Sequence, residues 1–167
     1  FNEYTGKIFI GSKETKLHNP TMSKTNGIEM IYQELSLALP LSIAENVLVG
    51  RLPKKGLFLD KQKIYKETKR CLKMVGLEHL DPDLEIEEIS QHESQLVEIG
   101  KALGNNPCIL VMDEPTSALS REEVERLFEI IKSLKKRGLA IIYISHHLPE
   151  IFEVAARVTV MRDGKRI

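Results

Sequence analysis

Two short apolar runs, separated by a segment with helical periodicity, restrict the fold of this chain more than any other feature. The runs are CILVM (108–112) and LAIIYI (139–144), and neither contains a charged residue. Between them, REEVERLFEIIKSLKKRG (121–138) has the apolar spacing of an amphipathic helix, with Ser120 and Glu123 at capping-box spacing. A helical connection between two strands of one sheet implies that they are parallel. Uninterrupted apolar strands also predict that both faces of the sheet are covered.

The first of these strands ends in two adjacent carboxylates, Asp113 and Glu114. Ligands of parallel sheets bind at the carboxyl ends of the strands, where these residues would lie. Two neighbouring carboxylates repel each other and are costly to bury, so a cation is expected beside them. Magnesium held with a nucleoside triphosphate would meet that need, with Asp113 on the metal and Glu114 taking a proton from an attacking water. A strand end that turns into a solvated loop explains the pair equally well.

The rest of the chain divides into a β-rich beginning, a helical middle and a strand-turn-strand tail. Residues 6–17 predict short extended segments around a Gly-Ser turn, and IEMIY (28–32) predicts another strand. Between residues 42 and 105 we expect three helices, which start at Ser42, Asp60 and Ser90. A last helix is expected over residues 148–158. The tail then predicts two strands around an Asp-Gly turn.

Composition argues against several classes of protein. The 167 residues include 24 Lys and Arg and 24 Asp and Glu, so nucleic acid is not an expected partner. Cys71 and Cys108 have neither disulfide-framework nor metal-site spacing, which favours a reducing, cytosolic location. The apolar runs are far shorter than the about 20 residues that span a bilayer, and the first residues do not follow a signal-peptide pattern.

The segment ILVMDEPTSAL (109–119) resembles the Walker B motif and D-loop of ATP-binding cassette (ABC) ATPases. YISHHLPEIFEVAARVTVMRDGK (143–165) is similar to the switch-histidine region, and GIEMIYQELSLALPLSIAENVLVGR (27–51) to the Q-loop region. ISQHE (89–93) stands in the signature position. The similarity covers nearly the whole chain, and YQELSL, SIAENVLVGR and LVEIGKAL are most similar to the N-terminal cassette of double-cassette ATPases in bacterial ribose, galactose and xylose importers.

This resemblance implies an α/β fold of the P-loop NTPase (ABC ATPase) type, with a parallel-sheet core, an inserted α-helical subdomain and a missing N-terminal part. Residues 1–33 and 96–167 would be parts of the RecA-like ATPase subdomain, and residues 34–95 would form the helical, signature-bearing subdomain. ATP and Mg²⁺ are the implied cofactors. By motif, Asp113 would support Mg²⁺ and Glu114 would polarise the water that attacks the γ-phosphate. His146 would contact that phosphate, and Gln33 would reach Mg²⁺ and the water.

Two departures from the family pattern qualify these roles. The first is that no G-x-x-x-x-G-K-[ST] loop, which cradles phosphates, occurs in the chain. In the family that loop comes just before the point where this chain begins, so truncation is the expected explanation. The 167 residues by themselves are therefore expected to be inactive as an ATPase.

The second departure is in the signature, which is L-S-G-G-Q or L-S-V-G-Q in the family and ISQHE here. Ser90 and His92, with Ser117 of the D-loop, would lie against nucleotide shared with a partner cassette. His92 adds bulk there, and Glu93 adds a negative charge that is unfavourable near phosphate unless it turns back to cap its own helix. A capped helix that has lost its role and an altered but working contact are equally open.

The leading hypothesis is the ATP-hydrolysing subunit of a monosaccharide importer, peripheral on the cytoplasmic face of the cell membrane. Its expected partners are a second cassette, on another chain or the same one, and transmembrane permease subunits. A periplasmic or extracellular sugar-binding protein would act with it indirectly. The alternative is a degenerate, non-hydrolysing cassette that serves an active one as a structural or regulatory half. An ABC ATPase of translation or DNA repair is a third hypothesis, but the basic or coiled-coil additions usual in those proteins are not seen.

Overall fold

The structure is a computed structural model that describes residues 5–167, and it forms six α-helices and nine strands within them. The helices are α1 (Pro20–Thr25), α2 (Ile43–Val47), α3 (Lys61–Met74), α4 (Gln91–Leu103), α5 (Arg121–Lys136) and α6 (Leu148–Val154). The strands are β1 (Ile8–Ile10), β2 (Lys13–Thr15), β3 (Ile28–Ile31), β4 (Lys54–Lys55), β5 (Phe58–Leu59), β6 (Ile109–Asp113), β7 (Ala140–Ile144), β8 (Met161–Arg162) and β9 (Lys165–Arg166). A 3-10 turn, Ile86–Glu88, precedes α4.

A parallel sheet in the order β3–β6–β7 lies at the centre of the fold. In the middle strand β6, Met112 pairs with Ile31 on one side and with Tyr143 on the other. Helix α5 connects β6 to β7, which confirms the parallel pair predicted from the two apolar runs. Gly27, just before β3, has φ +76°, and a Cβ there would lie 2.9 Å from the Cys108 Sγ atom, so this position requires glycine.

The two faces of this sheet differ in burial. On one face Leu110 is fully buried, and Phe128 of α5 meets Tyr143 edge-on with 6.4 Å between the ring centroids. On the other face Ile142 and Ile144 of β7 are 52% and 43% exposed. The prediction that both faces are covered is therefore not met within residues 5–167. An apolar run shows that a strand suits a buried setting, but it does not specify what packs on each face.

Helices α2, α3 and α4 pack against one another, and α4 also contacts β3. The helix predicted to start at Asp60 is confirmed as α3, and its buried residues are Thr68, Cys71 and Leu72. At the α3–α4 contact, a Cβ on Gly100 would lie 3.2 Å from the Cys71 carbonyl oxygen, so the small residue permits close packing. Helix α4 runs without a break through residues 95 and 96, where the sequence analysis divides two subdomains. That division stays a prediction.

Three helices begin with capping boxes, as the sequence predicts. In each box the serine hydroxyl accepts a hydrogen bond from the backbone N–H three residues later, and the glutamate there accepts one from the serine N–H. The pairs are Ser42 with Glu45, Ser90 with Glu93, and Ser120 with Glu123. Because both partners lie in one helical turn, the box needs no contact from elsewhere in the fold.

Some short elements differ from the sequence-based expectations. Helix α1 occupies the segment between residues 17 and 28, for which the sequence predicts no helix or strand, and Asn19 caps it by accepting from the Met22 N–H at 2.8 Å. The hairpin β4–β5 interrupts the helical middle, and α6 ends at Val154 rather than near residue 158. The Asp-Gly turn between β8 and β9 is confirmed. None of the helices between residues 5 and 167 has the length and apolar composition needed to cross a bilayer.

Candidate functional site

The carboxyl ends of the parallel strands bring several predicted site residues to one edge of the sheet. Asp113 ends β6 and pairs with Ile144, which ends β7. Glu114 extends this pairing, because its N–H donates to the Ile144 carbonyl oxygen at 2.9 Å. Gln33 and His146 each follow the end of their strand, β3 or β7, by two residues. The structure thus gathers at one edge the three segments that resemble the Q-loop, Walker B and switch-histidine motifs.

Glu114 and His146 are in direct contact at this edge. The Nδ1 atom of His146 donates to Oε1 of Glu114 at 2.9 Å, since an ionised carboxylate only accepts. The Glu114 side chain is 28% exposed and the His146 side chain 64% exposed, so both can be reached from solvent. The φ of Glu114 is +45°, in the left-handed region that few residues other than glycine adopt. A strained backbone of this kind persists where its surroundings hold it, often at functional sites.

The Asp113 carboxylate lies beside Glu114 but has no hydrogen-bond or ion-pair partner in the described part of the chain. Gln33 is exposed, and its side-chain amide is equally without a partner there. No three His, Cys, Asp or Glu side chains between residues 5 and 167 converge as a complete metal site. A cation held here would need oxygen atoms from phosphate or water as well. This partial set of oxygen donors fits Mg²⁺, which usually keeps water and phosphate ligands.

Ser117 lies in the turn that joins β6 to α5. Its N–H donates to the Glu114 carbonyl oxygen at 3.3 Å, and the residue is exposed. The two residues before it, Pro115 and Thr116, are buried. The predicted D-loop is therefore a turn with a buried beginning and an exposed serine, next to the Glu114–His146 contact.

At the start of α4, in the signature position, the polar side chains of Ser90 and Glu93 form hydrogen bonds within the first turn of the helix. Oε2 of Glu93 accepts from the Ser90 N–H at 2.9 Å and from the Ser90 hydroxyl at 2.8 Å. Oε1 of Glu93 faces Nε2 of His79 at 3.3 Å. The backbone hydrogen bond from Ser90 is the main cause that lowers the pKa of Glu93 below its ordinary value of 4.5. Glu93 thus adopts the turned-back conformation that the sequence analysis allows for it.

His92 is buried between helices rather than exposed at the start of α4. It is 8% exposed, and its Nδ1 atom has no hydrogen-bond partner among the described residues. With Ser90 it lines a groove between α3, α4 and α5 that also includes Leu96, Arg126 and Ile130. None of the residues that line this groove belongs to the sheet edge. Ser90 and His92 thus line a groove to which Asp113, Glu114 and His146 do not contribute.

Beside the sheet edge lies a hydrogen-bonded cluster that no sequence pattern predicts. Glu150 of α6 accepts from the hydroxyls of Thr116, Tyr143 and Ser145. The pKa of Tyr143 is raised, first by burial of the phenol and then by its hydrogen bond to Glu150. Thr116 and Glu150 are 34 residues apart, and hydroxyl donors on separate segments follow no fixed spacing. No sequence signal of the kind that marks a capping box is available for such a cluster.

Comparison with known proteins supplies the family. The ABC transporter family model matches residues 1–117, well over half of the chain. The chain belongs to the ABC transporter family. A ribose import ATP-binding protein of Rubrobacter xylanophilus is 45% identical to this ABC chain over 161 residues, which are 96% of the chain and 32% of that protein. A galactose/methyl galactoside import ATP-binding protein of Escherichia coli is 42% identical over 167 residues, which are 100% of the chain and 33% of that protein.

The chain thus spans about a third of the length of the curated relatives it matches. Among solved structures, the ADP conformation of an ATP-binding cassette of an ABC transporter is similar to this ABC chain with a TM-score of 0.81 and 26% identity, over 98% of the chain and 68% of that cassette. A nucleotide-free cassette has a TM-score of 0.84 at 24% identity, over 100% of the chain and 70% of that cassette. The family and the P-loop NTPase fold of ABC ATPases predicted from the sequence are both confirmed.

Proposed function

We propose that the whole protein is the ATP-hydrolysing subunit of an ABC importer for a monosaccharide. The observation that carries this proposal is the 2.9 Å contact between Glu114 and His146 at the carboxyl edge of a parallel sheet, beside an Asp113 carboxylate with no partner among the described residues. The printed names of the relatives, ribose import and galactose/methyl galactoside import proteins, support a monosaccharide as the imported solute.

Glu114 and His146 would act on the water and on the γ-phosphate of ATP. Oε1 of Glu114 is hydrogen-bonded to His146, and Oε2, which has no hydrogen-bond partner among residues 5–167, would accept a proton from the attacking water. In the protonated ring both nitrogens of His146 carry a hydrogen, so Nε2 would donate to a phosphate oxygen while Nδ1 donates to Glu114, and this hydrogen bond would stabilise charge that develops during transfer. Both roles need the two side chains in fixed positions. The backbone hydrogen bond from Glu114 to the carbonyl oxygen of Ile144 holds the two strand ends together.

The remaining predicted residues would bind the metal ion and the shared nucleotide. Asp113 and Gln33 would hold Mg²⁺, which when bound neutralises charge on the phosphate oxygens. Ser117, Ser90 and His92 would lie against nucleotide shared with a second cassette. The other proposed partners are transmembrane permease subunits and, indirectly, a sugar-binding protein outside the cytoplasm. In this assembly the protein would sit on the cytoplasmic face of the membrane.

A degenerate cassette is the second candidate function, and the start of α4 favours it. The Ser90 hydroxyl and the Glu93 carboxylate bond to each other, and the His92 ring is buried. A signature occupied in this way offers few free donors to a partner's phosphate. The composite site that includes this signature would then not hydrolyse ATP, although the opposite composite site of the pair would.

The variant Glu114→Gln in the whole protein tests the leading function. Removing a positioned general base should lower phosphate release at saturating Mg-ATP by at least about 100-fold. ATP binding, measured by calorimetric titration, should persist because the amide keeps the size of the side chain. Glu122→Gln, which neutralises an exposed carboxylate at the start of α5, is the matched control and should hydrolyse ATP normally.

Two results would contradict the leading function. Unchanged hydrolysis by Glu114→Gln would show that Glu114 is not the base. A wild-type protein that binds Mg-ATP but releases no phosphate, alone and with its membrane subunits, would overturn the function, whereas hydrolysis of one bound ATP while a second ATP stays intact would favour the degenerate cassette. The solute is tested separately, by stimulation of ATP hydrolysis in liposomes that contain the membrane subunits and binding protein, with ribose, galactose and xylose compared.

A further inference from the structure

Glu150 is a carboxylate with three hydroxyl donors and no cationic partner in the described part of the chain. The Thr116 hydroxyl lies 2.9 Å from each of its two oxygens. The Tyr143 hydroxyl donates to Oε2 at 2.8 Å, and the Ser145 hydroxyl donates to the same oxygen at 3.0 Å. Hydrogen bonds to an ionised acceptor are about twice as strong as those between neutral groups. The cluster therefore holds its three hydroxyl donors firmly around one side chain.

These donors lie next to the proposed catalytic pair. Thr116 follows Glu114 by two residues, and Ser145 directly precedes His146. The Ser145 hydroxyl also accepts from the His147 N–H at 3.0 Å, which fixes the backbone on the far side of His146. Glu150 thus bridges the two segments that carry Glu114 and His146.

Helix capping does not account for the contacts of Glu150. The residue lies in the first turn of α6, where an acidic side chain is favourable near the helix N-terminus. However, its carboxylate accepts from side-chain hydroxyls and not from the first N–H groups of α6. Its most distant partner in sequence, Thr116, belongs to the turn after β6. The carboxylate is therefore used for tertiary contacts between segments.

We propose that Glu150 is a positioning residue for ATP hydrolysis: it ties the turn after Glu114 to the segment around His146 and so maintains the contact between these two side chains. Glu150 does not touch the substrate in this role, which rests on the function proposed above. Loss of the tie would let Glu114 and His146 move apart by up to about 1 Å. Misplacement on that scale can lower turnover by about 100-fold.

The test compares Glu150→Ala and Glu150→Gln in the whole protein. Glu150→Ala should lower kcat by about 10- to 100-fold while KM for ATP stays within about twofold, because nucleotide contacts are untouched. Glu150→Gln should lose less, since its amide oxygen still accepts from the hydroxyls, and it also serves if the alanine variant folds poorly. Glu153→Gln is the matched control on α6, since Glu153 is exposed and its one ion pair among residues 5–167 is with Lys132. It should keep the wild-type kcat.

Hydrogen exchange without nucleotide gives a second readout that does not need hydrolysis. In Glu150→Ala, the amides of residues 114–119 and of residues 144–147 should both exchange roughly tenfold faster, the equivalent of losing one hydrogen bond to a charged group. Glu153→Gln should leave both segments unchanged. A general loss of stability would instead speed exchange throughout the chain. Faster exchange confined to residues 114–119 and 144–147 is therefore specific to loss of the Glu150 hydrogen bonds.

The outcomes separate this inference from the proposed function. A wild-type protein without ATP hydrolysis would overturn the function, and the exchange measurement would still decide whether Glu150 ties the two segments. The inference is overturned if Glu150→Ala hydrolyses ATP at the wild-type kcat. It is also overturned if the variant leaves either segment as protected as in the wild type, or if KM rises as much as kcat falls.

Discussion

The side chains of Glu114 and Glu93 are both held by hydrogen bonds, but the partner of Glu114 is distant in sequence and the partner of Glu93 is close. Oε1 of Glu114 accepts from His146, 32 residues further along, and the backbone at Glu114 is left-handed with φ +45°. Oε2 of Glu93 accepts from the N–H and hydroxyl of Ser90, three residues earlier, within the first turn of α4. One glutamate is positioned by the sheet, and the other is positioned by its own helix.

The difference shows which of the two contacts carries information about function. A capping box forms wherever a helix starts with suitable residues, and this chain forms the same box at Ser42 and Ser120. The conformation of Glu93 therefore says little about a ligand. A left-handed backbone at a residue with a side chain is unfavourable by roughly 1–2 kcal/mol. The structure maintains it at Glu114, which supports a functional role for that residue.

The variant with the largest expected effect tests the long-range contact between Glu114 and His146. In the whole protein, His146→Ala should lower ATP turnover by about 100-fold, the usual scale for loss of one donor to developing charge. His147→Ala is the matched control, since the His147 ring packs on the His146 ring with 4.1 Å between their centroids, while the hydrogen bond to Glu114 is made by His146. Steady-state phosphate release measures both. Equal losses in the two variants would show that the histidine pair acts only through packing.

The second effect concerns His92, next to Glu93 at the start of α4. His92→Ala should lower the free energy of unfolding by about 2 kcal/mol or more, because it leaves a cavity between α4 and α5. His92→Leu should be close to neutral, since it fills the space and removes a buried nitrogen that has no partner. Chemical denaturation measures both variants. A leucine variant that is as unstable as the alanine variant would contradict this packing interpretation.

ATP turnover of the same leucine variant sharpens the comparison. A stable His92→Leu protein with much lower turnover would show that His92 contacts nucleotide, as its signature position implies. Unchanged turnover would show that His92, like Glu93, only stabilises the local structure of α4. This result would favour a signature that has lost its role.

The smallest expected effect tests the local contact. Glu93→Ala should lower stability at pH 7 by about 0.5–1 kcal/mol, the usual value of a helix cap. The pKa of Glu93 is lowered in the folded protein, so its stabilising effect is present above its ordinary value of 4.5 and is lost as the pH falls through and below that value. Urea denaturation at pH 7 and pH 3 should show the difference from wild type shrinking in acid.

Glu45→Ala is the matched control for this prediction, because Glu45 forms the same box with Ser42 and its pKa is also lowered by the Ser42 N–H. The two variants should show the same pH dependence. A Glu93 effect that grows in acid, or that depends on added nucleotide when Glu45 does not, would mean that Glu93 has a role beyond its own helix.

The sequence by itself determined the features that depend on residues within one or two helical turns. The capping boxes, the buried face of α3 and the alternation of strand and helix after residue 107 all follow from local spacing. The functional edge was also predictable, because the ends of parallel strands meet at the same side of a sheet. Residues that end such strands, such as Asp113, can therefore be placed together without coordinates.

Tertiary structure alone decided the contacts between distant segments. It turned Glu150 towards Thr116, buried His92 between helices and left Ile142 of β7 exposed on one face. It also carried α4 unbroken past residue 95, because a helix that packs on both α3 and β3 has no reason to stop at a boundary between them. Periodicity shows which side of an element is apolar, but which surfaces meet there depends on how the whole chain packs. A buried hydrogen bond forms only after that packing has brought its two partners together.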